Sequence, residues 1–70
     1  MKYLVVIEKT RTGYSAYSPD LPGCVAAGRT RARVEKLMKE AIGLHLDGLR
    51  AEGVKAPPPR TYSTYVSVAA

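Results

Sequence analysis

One segment of this chain carries the apolar spacing of a helix, and its length constrains everything around it. In TRARVEKLMKEAIGLHLDGLRAEG (30–53), Val34, Leu37, Met38, Ala41, Ile42, His45 and Leu49 recur at three- and four-residue intervals. That separation puts side chains on one side of an α-helix. Leu44 and Leu46 widen the stripe. About 22 residues at 1.5 Å each predict a helix of roughly 33 Å. Thr30 stands where an N-cap hydroxyl is needed, and Gly53 where the chain leaves through a C′ glycine. Gly43 and Gly48 fall inside the helix. Each costs up to about 1 kcal/mol relative to alanine, so they read most simply as close-packing points against a sheet or a second subunit.

The segments before the helix have strand and turn chemistry. KYLVVIEK (2–9) holds three consecutive β-branched residues, with Tyr3, Val5 and Ile7 on one face. TRTG (10–13) is a turn with Gly13 available for positive φ, and GYSAYS (13–18) completes a hairpin. Pro19 ends that strand, because proline donates no ladder hydrogen bond. PDLPG is turn chemistry throughout, and CVAAG (24–28) is a short third strand. After the helix, VKAPPPR (54–60) favours a stiff polyproline return. TYSTYVSV (61–68) alternates Tyr62, Thr64, Val66 and Val68 against Ser63, Tyr65 and Ser67, which predicts a fourth strand with one buried face. The fold expected is therefore α+β, in the order β-β-β-α-β. It is one mainly antiparallel four-stranded sheet of order 3-2-1-4 with one long helix packed on one face; a right-handed crossover sets the last strand beside the first.

Seventy residues make a single domain, 1–70, whose core is marginal at that size. One cysteine cannot form an internal disulfide, and one cysteine with one histidine cannot close a zinc site. Self-association as a dimer or tetramer is the expected source of added stability. No run approaches the ~20 apolar residues of a membrane span, and the apolar stretch after Lys2 is too short for a signal-peptide core. The expected location is the cytoplasm, where a free thiol is stable. Asn and Gln are absent, a composition that fits a heat-adapted source. The net charge is +5, and the excess lies outside the helix in Lys2, Lys9, Arg11, Arg29, Lys55 and Arg60. Such a balance favours nucleic acid or an acidic protein face, or serves solubility alone.

Nothing in the chain assembles catalytic machinery. A nucleophilic Cys24 needs a base in hydrogen-bond reach. The one histidine, His45, lies far along the helix, where it reads as a core or interface residue. Glu8 and Asp20 are too few to hold a pair of metal ions. No metal, cofactor or catalytic residue is expected. The aromatics are Tyr3, Tyr14, Tyr17, Tyr62 and Tyr65, all on predicted strands. They suit a subunit interface, with His45 beside them, or base stacking on an open sheet. Arg29, Arg31 and Arg33 crowd the positive end of the helix, where free backbone N–H groups make a site for a phosphate or a partner's carboxylates.

Taken together, GYSAYSPDLPGCVAAGRT followed by a helix and a closing strand resembles the N-terminal domain of HicB-type antitoxins. The resemblance covers essentially the whole chain. It implies a partly degenerate RNase H-like fold without catalytic acids, and a non-enzymatic protein-binding domain that masks a small RNA-cleaving toxin. Pro19, Asp20, Pro22, Gly23 and Cys24 correspond to the family's turn, with Leu21 at its variable position, and Gly28 and Thr30 close the third strand and cap the helix. Two departures stand out. With the sequence running to Ala70, the expectation is a single domain that lacks the family's C-terminal DNA-binding segment, and Arg31 and Arg33 occupy positions where the family commonly has acidic residues. The alternative is a stand-alone oligomer that binds nucleic acid through its tyrosines and arginines.

Overall fold

β1 (Val6–Lys9) and β2 (Tyr14–Tyr17) pair antiparallel in the computed structural model, which describes residues 1–69. The turn between them is closed by the Thr10 amide donating to the Gly13 carbonyl (2.8 Å) and the Gly13 amide donating to Thr10 Oγ1 (3.1 Å). Gly13 does not take the positive φ expected of it; Gly23 and Gly53 do. Its reason for being glycine is space: a Cβ there would meet the Gly28 carbonyl oxygen and come within 2.9 Å of Arg29 Cα.

Two consecutive turns carry the chain from β2 to β3 (Val25–Gly28). The Leu21 amide donates to the Ser18 carbonyl (3.2 Å), and the Cys24 amide to the Leu21 carbonyl (3.1 Å). In the second turn Pro22 precedes Gly23, whose φ is +90°. That is the proline-then-glycine chemistry of a type II turn. Ser18 is buried and donates its hydroxyl to the Leu4 carbonyl at 3.0 Å. β3 then pairs antiparallel with β2, giving a sheet of order β1-β2-β3.

The helix α1 (Arg31–Ala51) begins as the sequence predicts, with Thr30 Oγ1 accepting from the Arg33 amide at 3.1 Å. It ends in a Schellman arrangement: the Gly53 amide donates to Arg50 O (3.0 Å), the Val54 amide donates to Leu49 O (2.8 Å), and Gly53 has φ +72°. The helix packs mainly across β3 and β2. Its 21 residues span about 31 Å, whereas four-residue strands span about 13 Å, so its C-terminal half overhangs the sheet. Val34 and Met38 alone are fully buried on it, where they meet Ala16, Leu21 and Cys24 in the core. Leu44 is exposed rather than part of the buried stripe, and Gly43 and Gly48 face open space rather than a packing partner within the chain.

The expected sheet requires correction. It has three strands, not four in the order 3-2-1-4. Residues 61–68 join no ladder in this chain, and Tyr62, Val66 and Val68 are exposed rather than buried on one face. The reason lies upstream. Tyr3 Oη donates to the Pro57 carbonyl (2.6 Å), which holds the return connection against the start of the first strand segment. Asp20, in the β2–β3 turn, then takes the Arg60 and Thr61 amides on Oδ2 (3.0 Å each) and the Thr61 hydroxyl on Oδ1 (2.8 Å). The chain is thereby drawn across the end of the sheet, away from the outer edge of β1.

Candidate partner-binding surfaces

Strand alternation sends Tyr14, Ala16, Ile7 and Ala26 toward α1, and the residues between them to the other side of the sheet. No element covers that second side among the described residues. The register lines up Val6, Tyr17 and Val25 as one row across all three strands, with Glu8, Ser15 and Ala27 as the next. Tyr17 is 43% exposed and Val25 65%. Both are larger apolar groups than an isolated solvated sheet face requires, and they are contiguous. Neighbouring exposed apolar side chains on an uncovered sheet face make this a candidate surface for a partner.

A second surface lies at the end of the sheet where the β1–β2 turn, the end of β3 and the start of α1 converge. Lys9, Arg11, Arg29, Arg31 and Arg33 are all exposed there. The Lys9 ammonium sits 5.1 Å from the centre of the Tyr14 ring, close enough for a cation–π attraction. A shallow concavity of about 380 Å³ opens between Thr10, Thr12, Tyr14, Ala27, Gly28 and Arg29. No acidic side chain occupies the first turn of the helix to offset Arg31 and Arg33.

The other sequence-predicted residues separate by role. Tyr3 and Tyr14 pack against the core, while Tyr62 and Tyr65 stand exposed beyond the sheet. His45 is half-buried on the overhanging part of α1. Pro19, Pro22 and Gly23 are exposed in the turns, and Gly28 backs onto Val34 and Arg33. Cys24 is buried, and burial pushes its thiol pKa up. A thiol held protonated in an apolar setting is a poor nucleophile. Among the described residues no three metal-ligating side chains converge, and no helix is long and apolar enough to cross a membrane. Sequence reasoning missed Val6 and Val25; the signal was present, since Tyr3, Val5 and Ile7 facing inward forces Val6 outward. It also treated Leu21 as a variable filler, although that side chain is wholly buried.

Comparison with known proteins accords with this geometry. A family model described as the HicB-like antitoxin of bacterial toxin-antitoxin systems matches residues 3–69. A chain in the solved structure of a HicA3 and HicB3 toxin-antitoxin complex is 40% identical, with a TM-score of 0.69 over 84% of this chain and 70% of that one. The crystal structure of antitoxin HicB3 gives 40% identity and a TM-score of 0.69, covering 81% of this chain and 42% of the other. An uncharacterised 14.9 kDa protein of Haemophilus phage HP1 is 34% identical over 67 residues, 96% of this chain and 50% of the phage protein. A UPF0150 protein of Thermoplasma acidophilum is 38% identical over 58 residues, covering 81% of this chain and 84% of the relative. The chain thus spans half the length of the phage relative it matches.

Proposed function

Because this chain belongs to the HicB-like antitoxin family of bacterial toxin-antitoxin systems, we propose that it acts in the cytoplasm, without catalysis, by covering a small RNA-cleaving toxin with the open face of its sheet. The observation that carries this reading is the Val6–Tyr17–Val25 row, an apolar strip on the side of the sheet that α1 leaves bare. Tyrosine is the residue type most suited to such a surface, since its ring supplies contact area and its hydroxyl a polar end. The buried, protonated Cys24 and the scattered carboxylates support the non-enzymatic part of the reading. A chain 40% identical to this one belongs to a solved HicA3 and HicB3 toxin-antitoxin complex, which supports the class of partner.

Co-expression with the reading frame that adjoins its gene tests the reading. The expected result is a stable hetero-complex in which RNA cleavage stops, and which Tyr17→Ala with Val25→Lys weakens at least about tenfold. Absence of any complex would overturn it. Salt-sensitive RNA or DNA binding lost in Arg29→Ala/Arg31→Ala/Arg33→Ala would then assign the function to the basic end instead.

A further inference from the structure

Residues 62–68 have the composition of a strand but pair with no strand among the described residues. Tyr62 is 85% exposed, Tyr65 100%, Val66 77% and Val68 78%. Tyr62, Val66 and Val68 share one face at period two, with Tyr65 on the other, which is the composition of a half-buried strand and not of a solvated tail. The chain's radius of gyration is 14.0 Å, against about 11 Å for a compact domain of this length. The excess fits a segment that leaves the body rather than folding onto it.

The body offers a matching vacancy. β1 is an edge strand, and its outer N–H and C=O groups pair with no strand among the described residues. Beside it, α1 leans toward β3 and β2 and leaves an open groove of about 360 Å³, lined by Val5, Ile7, Met38 and Ile42 and flanked by Glu35 and Lys39. The same chain's tail does not pair with that edge: the contacts of Pro57 with Tyr3 and of Arg60 and Thr61 with Asp20 tether the backbone at Tyr3 and at the β2–β3 turn instead.

We propose that residues 62–68 of one copy add as a strand along the outer edge of β1 in a second copy, setting Tyr62, Val66 and Val68 into the groove over Ile7 and Ile42. Each chain owns one donor segment and one acceptor edge. Two copies exchanging them satisfy both under a single two-fold axis, with no open end left to propagate. Backbone pairing supplies the ladder bonds and the alternating side chains supply the fit. The single-chain sheet keeps its three strands; the added strand is the partner's. This inference does not rest on the antitoxin reading, because toxin binding uses the opposite face of the sheet.

The test uses the whole 70-residue chain. Native mass measured across dilution is expected to show a dimer. Val66→Lys with Val68→Lys is expected to weaken dimerisation by at least about 100-fold while leaving the helical circular dichroism unchanged. Ile42→Lys should weaken it from the acceptor side, and mixing the two variants should restore part of the dimer, since one donor–acceptor pair survives. Amide exchange supplies an independent readout: the 64–68 amides should be slowed at least about 100-fold in the dimer relative to the tail-variant monomer. A monomer at tens of micromolar, a dimer indifferent to the tail variant, or unprotected tail amides in the dimer would each overturn the proposal. So would tail protection that arises only when a toxin is added.

Discussion

Replacing Leu21 by alanine tests the claim that the β2–β3 turn is a core element and not merely a connection. The side chain is wholly buried against Val34 and Met38. The backbone around it cannot slide inward to fill a void, because the Leu21 amide is committed to Ser18 and its carbonyl to Cys24. A site that can collapse only in part falls in the middle of the Leu→Ala range, about 3–4 kcal/mol of the 2–5 usually seen. A chain of 70 residues has a total stability of roughly 4–10 kcal/mol, so this one change removes a third or more of it. Urea denaturation monitored by the helical signal, at fixed protein concentration, is the assay. With a slope near 1 kcal/mol per molar for so small a domain, the midpoint should fall by about 3 M. Leu44→Ala, on the exposed side of the same fold, is the control and should stay within about 0.5 kcal/mol. A loss below about 1 kcal/mol for Leu21→Ala would refute the reasoning, since it would mean that the turn yields and the core closes without it.

Two further outcomes follow from the ends of the helix and the tether. Hydrogen bonds from the Thr61 backbone, the Thr61 hydroxyl and the Arg60 backbone hold the Asp20 carboxyl below its ordinary value. A depressed acid contributes its stabilisation above the ordinary carboxylate pKa of about 4 and loses it as pH falls through the lowered value. The Arg60 and Thr61 amide resonances should therefore shift to free-chain positions only below about pH 4. Asp20→Ala should release them at every pH, and an acid-insensitive tether would contradict the assignment. At the helix start, Thr30→Ala should cost about 1 kcal/mol, while Arg31→Glu should gain roughly 0.3–1 kcal/mol by answering the helix dipole. Chemical denaturation reads both, and a neutral Thr30→Ala would show the cap to be idle.

How far these features were legible in the chain depends on the distance over which each is decided. The Schellman end at Gly53, the threonine cap and the Pro22–Gly23 turn each depend on residues a few positions apart, and each stands where the sequence places it. The open apolar row on the sheet was half legible. Alternation alone turns Val6 outward, but only the pairing register sets it beside Tyr17 and Val25.

By itself, then, the sequence determined the order of the first four elements, the hairpin, the long capped helix and the family resemblance, because propensity, capping and turn geometry act locally along the chain. The tertiary structure alone decided that Leu21 fills the core, that Gly13 is glycine because the Gly28 carbonyl passes over it, and that residues 61–68 leave the sheet. An alternating segment such as TYSTYVSV states that it wants a neighbouring strand and says nothing about whose. That choice was made 41 residues upstream, where the Asp20 carboxylate collects the Arg60 and Thr61 amides and turns the chain away from its own edge.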